Sequence, residues 1–236
     1  MTGHHTIELK DASTLSRSVR TLVFESIDGP FAYRAGQHVT LFVPTASGTP
    51  KKKYYSIASA PNALHPARFE VAVTRSDDLA STSATLHELA VGARLEMDGP
   101  SGTFVYEDFG GPAIFVTTGS GLAPVRAMLQ RELSQEEGAP IVLLFGCKRE
   151  GDVLWAGELQ AFAQKCPRFR FEVSLSQPSA EWRGRAGYVQ KHVIELAKTL
   201  SNPRAYVCGS PHMVDEVVGL LSGIIPDDRQ HHEKYG

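Results

Sequence analysis

The pattern of hydrophobic and polar positions changes rhythm midway along the chain. In the first ~105 residues the apolar positions fall in short alternating runs. Residues 19–25 read as a strand. Residues 37–43 alternate, with Val39, Leu41 and Val43 on one side, and 69–74 repeat this with Phe69, Val71 and Val73. Gly29-Pro30, the stretch 44–50 and Gly99-Pro100 break the runs. One helical turn interrupts them, with Ser83 as its cap, Leu86, His87, Glu88 and Leu89 within it, and Gly92 closing it. Short strands separated by turns predict an antiparallel β-barrel or sandwich.

After Phe109-Gly110-Gly111-Pro112 strands and helices alternate. The pattern predicts strands at 113–118, 141–145, 169–175, 205–208 and 231–235. It predicts helices at 122–137, 158–165, 188–200 and 211–222. Such alternation implies a parallel sheet with helices on both faces, a Rossmann-like α/β domain. The expected division is 1–107 for the β domain and 108–236 for the α/β domain, joined by a turn.

Composition narrows the function classes. The 236 residues, 42% of them hydrophobic, suffice for two small cores. A net charge of −2 argues against a general nucleic-acid binder, which needs a basic surface. No apolar run approaches the ~20 residues of a spanning helix. Residues 1–10 lack the apolar stretch of a signal peptide. The three cysteines, Cys147, Cys166 and Cys208, are scattered, which fits neither a disulfide framework nor a metal knuckle. An iron–sulfur cluster needs about four organised thiolates. A reduced, cytoplasmic chain is the simplest reading. The adjacent pairs His4-His5 and His231-His232 have no supporting ligand cluster, so no metal site is expected.

Four motifs carry candidate chemistry. Thr118-Gly119-Ser120-Gly121-Leu122-Ala123-Pro124 lies between a strand and a helix. Glycines there admit a phosphate to the unpaired N–H groups of the helix start, and Pro124 suits an early helical position. A tight structural turn accounts for the same residues. Cys208-Gly209-Ser210-Pro211-His212-Met213 also runs from a strand through a glycine into a helix, at the strand end that faces a ligand crevice. The alternative is an ordinary buried cysteine. Lys53-Tyr54-Tyr55-Ser56 offers a cation, aromatic faces and a hydroxyl, or else a strand with a solvated basic loop formed with Lys51 and Lys52. Gly99-Pro100-Ser101-Gly102-Thr103-Phe104 reads as a turn.

Together, in this order and spacing, the four resemble the ferredoxin–NADP reductase-like superfamily over nearly the whole chain. That group includes cytochrome b5 reductase, flavin reductases and reductase modules of oxygenases. Lys53-x-Tyr55-Ser56 resembles the family's Arg-x-Tyr-Ser flavin motif. Gly119-Ser120-Gly121-x-Ala123-Pro124 resembles its Gly-Thr-Gly-x-x-Pro motif, and Cys208-Gly209-x-Pro211-x-Met213 its Cys-Gly-Pro-Pro-x-Met motif. Gly99-Pro100-x-Gly102-x-Phe104 resembles the turn that ends its flavin domain.

The resemblance implies a flavin-binding barrel followed by a nicotinamide-nucleotide domain, with FAD favoured over FMN. It places Tyr54 and Tyr55 along the flavin, Ser56 near the nitrogen that accepts hydride, and Lys53 on the pyrophosphate. Lys replaces the family's Arg, a point cation in place of a fork. Val71 and Val73 would line the flavin through their backbone. Thr82 and Ser83 match its second phosphate turn, where this chain has Ala80-Ser81 and lacks the usual glycine. Thr118, Gly119, Ser120, Gly121 and Pro124 would lie along the nucleotide, with Gly209, Pro211 and Met213 beside it. Cys208 would face the carbon that gives up hydride. Glu233 resembles an acidic residue near that cysteine, a proton-relay candidate, and Tyr235 the terminal aromatic that covers the flavin.

The coenzyme is NADH or NADPH. NADPH-using members place Ser-Arg where this chain has Ser176-Gln177, which favours NADH, although Lys148-Arg149, Arg183 and Arg185 are cations within the domain. The implied activity is that of an FAD-dependent NAD(P)H oxidoreductase. It passes electrons to a separate acceptor, such as a ferredoxin, an oxygenase or free flavin. The alternatives are a free-flavin reductase and a non-catalytic electron-transfer or regulatory subunit.

Overall fold

The computed structural model describes residues 3–45, 47–106, 111–135 and 137–235. The chain divides into two compact units, 1–106 with 126–131, and 107–125 with 132–236. Of the sequence boundary at 107/108, residues 107–110 lie outside the described residues.

The first unit is a six-stranded antiparallel sheet. Its strands are β1 (Gly3–Thr14), β2 (Val19–Ser26), β3 (His38–Val43), β4 (Lys51–Ser56), β5 (Arg68–Thr74) and β6 (Arg94–Ser101), in the order β4-β3-β6-β1-β2-β5. An antiparallel bridge from Ile57 to Val71 ties the end of β4 to β5, so the sheet curls toward closure. Alternation points Ile7, Leu9, Leu22, Phe24, Val39, Leu41, Phe69 and Val71 into one core. Phe24 and Phe69 stack there with centroids 5.8 Å apart.

The expected strands at 19–25, 37–43 and 69–74 are β2, β3 and β5. Two expectations for this unit change. Gly99-Pro100 lies inside β6, beside the register shift of its pairing with β3. An irregularity in a ladder tolerates both residues, so the break read from sequence is a continued strand. The short helix α1 (Thr82–His87) is capped by Ser81, whose Oγ accepts from Ala84 N at 3.1 Å, and not by Ser83. Serine suits the position because its oxygen satisfies an otherwise unpaired N–H.

The second unit is a six-stranded parallel sheet in the order β10-β9-β8-β7-β11-β12. Its strands are β7 (Ala113–Thr118), β8 (Ile141–Cys147), β9 (Phe169–Leu175), β10 (Arg185–Ala186), β11 (Arg204–Gly209) and β12 (Gln230–Lys234). The helices are α2 (Leu122–Glu132), α3 (Ala156–Lys165), α4 (Val193–Ala197) and α5 (Pro211–Leu221). Ile114, Val116, Val142, Leu144 and Val207 form one core with Val193, Leu196, Val214 and Val217 from α4 and α5.

The helix expected at 122–137 stops at Glu132. Arg168 takes the carbonyls beyond it, donating to Glu132 O at 2.8 Å, Gln135 O at 3.3 Å and Ala139 O at 3.2 Å. The helix expected at 188–200 is a single 3₁₀ turn, Val189–Lys191, and then the five-residue α4. His192 separates them, with φ −117° and its Nε2 3.1 Å from Ala186 O. No helix among the described residues is long and apolar enough to cross a membrane.

Candidate flavin and nicotinamide sites

In the first unit, strand β4 is an edge strand and most of it faces water. Lys51, Lys52, Lys53 and Tyr54 are exposed, Tyr55 is half-buried and Ser56 is buried. Lys53 makes no ion pair with any described residue, whereas Lys52 lies 4.0 Å from Asp98. The Tyr54 ring meets His38 edge-on at 5.7 Å. Tyr55 packs against the barrel core, and burial pushes its phenol up to about 12. It therefore presents a neutral ring.

The other flavin candidates are less open. Val71 and Val73 are fully buried, backbone included, and Val73 O already accepts from His87 Nε2 at 2.8 Å. Thr82 is buried. Ser83 Oγ accepts from Ser76 N at 3.0 Å and lies 3.2 Å from Ser81 Oγ. The exposed cation, the aromatic rings and the hydroxyl turn are the donor set that a flavin with a pyrophosphate requires.

In the second unit the glycine loop forms a single 3₁₀ turn, Gly119–Gly121, which runs directly into α2. Pro124 is the third residue of α2, where its missing N–H costs no helical bond. Gly119 has φ +54°, and a Cβ there would meet nothing within 4 Å. Its surface is open to a ligand. The opposite holds at Gly121, where a Cβ would fall 2.4 Å from Cys208 O. At Gly209, with φ +156°, it would fall 2.3 Å from Thr118 Oγ1. The two glycine turns thus pack backbone to backbone, which only glycine permits. The Gly119–Ser120 end of the 3₁₀ turn, exposed at Gly119, ahead of a helix and above such packed turns, fits a dinucleotide phosphate.

Cys208 is buried at the carboxyl end of β11. In-register pairing puts Phe145, Thr117, Cys208 and Glu233 in one row across β8, β7, β11 and β12. Two residues earlier along the strands Phe115, Tyr206 and His231 stack, with centroids 5.0 and 4.7 Å apart. Burial pushes the Cys208 thiol well above its ordinary range, and the Glu233 carboxylate adds to this. A side-chain hydrogen bond with Tyr235 pulls the other way. Burial also raises Glu233. Tyr235 N donates to Gly209 O at 2.8 Å, so the chain end is tied to the cysteine turn. Pro211 is the first residue of α5, and Met213 is buried in the apolar core below. These two shape the turn from behind.

Of the cations considered for a phosphate, Arg183 and Arg185 are already engaged, whereas Lys148 and Arg149 are exposed after β8. Arg185 donates from Nε to Glu172 at 3.0 Å and from both Nη atoms to Glu195 at 2.9 and 3.0 Å. Arg183 Nη1 donates to Ala180 O at 2.8 Å. In the turn after β9, Ser179 N donates to Glu150 Oε1 at 2.9 Å. Its own backbone N–H and then that of Ser179 hold the Glu150 carboxyl below the usual carboxylate range. This fixed negative charge was not evident from sequence, because Glu150 and Ser179 are 29 residues apart. Thr117 was also missed. The only hint was a second threonine closing an apolar run.

Family models match the chain in two stretches. Residues 6–106 match the oxidoreductase FAD-binding domain and residues 115–219 the oxidoreductase NAD-binding domain. Ferredoxin–NADP reductase B of Sorangium cellulosum is 41% identical over 232 residues, covering 94% of this chain and 93% of the relative. The chain belongs to the ferredoxin–NADP reductase family. Other relatives in this family are longer. The phenol hydroxylase P5 protein of Acinetobacter pittii is 28% identical, and the alignment covers 91% of this chain but 60% of that protein. The crystal structure of the Amycolatopsis cytochrome P450 reductase GcoB superposes with a TM-score of 0.85 at 28% identity, covering 99% of this chain and 70% of that one. As a ferredoxin–NADP reductase relative with both domains, the chain is an FAD-dependent NAD(P)H oxidoreductase.

Proposed function

We propose that this chain takes a hydride from NADH onto FAD and delivers the electrons to a separate protein acceptor in the cytoplasm, a ferredoxin or an oxygenase component. The observation that carries the reading is Cys208, buried in register with Glu233 and set behind the packed Gly121 and Gly209 turns. The flavin, when bound, supplies the conversion of a two-electron donor into single or paired electrons.

The chain's own residues do the rest. Residues 108–236 form the nucleotide domain in this reading. The 3₁₀ turn ahead of α2, exposed at Gly119, binds the nucleotide phosphates, and Gly119 leaves room for them. Cys208 offers a compact, neutral wall that orients the nicotinamide and excludes water. Glu233, in register beside it, is the carboxyl through which a proton passes. In the flavin domain, residues 1–107, Lys53 binds pyrophosphate, the Tyr54 and Tyr55 rings flank the flavin, and Ser56 hydrogen-bonds its reacting edge. Tyr235 covers the flavin ring.

The preference for NADH rests on charge. A 2′-phosphate needs a free cation. Arg185 is held by two carboxylates, and Glu150 fixes a negative charge at the turn after β9. Steady-state rates with NADH and NADPH, measured on the FAD-loaded protein with a ferredoxin as acceptor, test the reading. Higher kcat/KM with NADH supports it, and equal or higher efficiency with NADPH overturns the coenzyme assignment.

A further inference from the structure

Thr117 is the one polar residue of the Cys208 row that the mechanism above does not use. It is fully buried, and its Oγ1 has no hydrogen-bond partner among the described residues. Valine has the same shape, and in a core strand it avoids the cost of an unpaired hydroxyl. The surroundings of that hydroxyl are uneven. On the β8 side its in-register neighbour is Phe145, which has no polar atom. Two residues back along the strands lies the Phe115–Tyr206 stack. On the β11 side its in-register neighbour is Cys208. The Cys208 side chain is therefore the polar group that the row sets beside Thr117.

The two side chains have complementary needs. A thiol is a weak donor through S–H, and a hydroxyl is an acceptor as well as a donor. Burial and the neighbouring Glu233 keep the thiol protonated, so it has a hydrogen to place. We propose that Thr117 is a positioning residue for Cys208: its hydroxyl accepts the thiol S–H and fixes the direction in which the sulfur faces the nicotinamide ring. The hydroxyl has no partner among the described residues, so the contact belongs to the state with a ring seated on the sulfur. The inference rests on the reading of Cys208 given above.

The test compares Thr117→Val, Thr117→Ser, Cys208→Ala and the Cys208→Ala/Thr117→Val pair in the FAD-loaded protein. Three quantities are read: the limiting rate of anaerobic flavin reduction by NADH, the NAD+ dissociation constant, and the long-wavelength charge-transfer absorbance of the flavin–nicotinamide complex. Thr117→Val should keep the melting temperature or raise it, since it removes an unpaired polar group. It should lower the limiting rate about tenfold and weaken the charge-transfer band, with NAD+ affinity within about twofold. Thr117→Ser should return the rate to within about threefold of the original. In the Cys208→Ala background Thr117→Val should add nothing, because the threonine acts through the thiol. A wild-type rate and band in Thr117→Val, with Cys208→Ala slow, overturns the inference and leaves the reading of Cys208 intact. Equal slowing by Thr117→Val with and without the thiol also overturns it. A wild-type rate in Cys208→Ala overturns the reading of Cys208 and the inference with it.

Discussion

Cys208 lies in register with Glu233 across β11 and β12, so the thiol and the carboxyl share one face of the parallel sheet. Burial keeps the thiol protonated and the carboxylate reinforces it. The sulfur is therefore neutral and not a nucleophile. Cys208→Ala should slow reduction of the flavin by NADH about tenfold or more while flavin affinity changes less than about twofold. Stopped-flow reduction and flavin titration, run on the same preparation, separate the two effects.

Glu233 gives a pH-dependent stability of defined sign. Its folded-state pKa is raised by burial. Between the ordinary carboxylate range and that raised value the folded chain binds more protons than the unfolded chain. Stability therefore falls as pH rises through this window. Glu233→Gln should remove that slope and raise the melting temperature at neutral pH relative to the parent. Thermal melts from pH 4 to 8 check it. A parent curve that rises through the window contradicts the assignment.

Arg168 is a clamp rather than a surface charge. It reaches Glu132 Oε1 at 3.3 Å along with three carbonyl oxygens, and both side chains are largely buried. Arg168→Ala leaves Glu132 buried without that partner and should cost about 3–5 kcal/mol in urea unfolding. Arg168→Lys should rescue little, because an ammonium cannot spread over four acceptors as the planar guanidinium does.

Lys53 sits on an exposed edge strand without an ion pair among the described residues. Lys53→Ala should weaken FAD binding about tenfold, and Lys53→Arg should match or tighten it, since a fork suits a pyrophosphate. Flavin retention on gel filtration and fluorescence titration report both.

The charge at Glu150 bears on coenzyme choice. Glu150→Gln keeps an acceptor for the Ser179 N–H but removes the fixed negative charge. NADPH efficiency should rise severalfold while NADH efficiency stays within about twofold. Steady-state kcat/KM for the two coenzymes reads this directly.

The parts legible in the sequence are those with local causes. Ala113–Thr118 is a strand at the bounds that its apolar run predicts, buried along nearly its whole length, and Phe169–Leu175 is one at the bounds of its alternation, with Phe169, Phe171, Val173 and Leu175 on one side. The glycine turns at Gly119–Gly121 and Gly209 fall where strand and helix signals meet. Strand β1 was not legible. Its core residues Ile7 and Leu9 alternate within an otherwise polar stretch, and pairing with β2 and β6 supplies the rest. The end of α2, the break at His192 and the Glu150–Ser179 contact depend on partners distant in sequence or on one side-chain hydrogen bond. Thr117 reads as an ordinary strand residue until the register sets it beside Cys208.

Nicotinamide and flavin exchange a hydride on this chain. Anaerobic mixing of the FAD-loaded protein with excess NADH in a stopped-flow spectrometer tests it most directly. Full bleaching of the bound flavin in a single turnover is expected, faster with NADH than with NADPH. A bound flavin that neither nucleotide bleaches contradicts it.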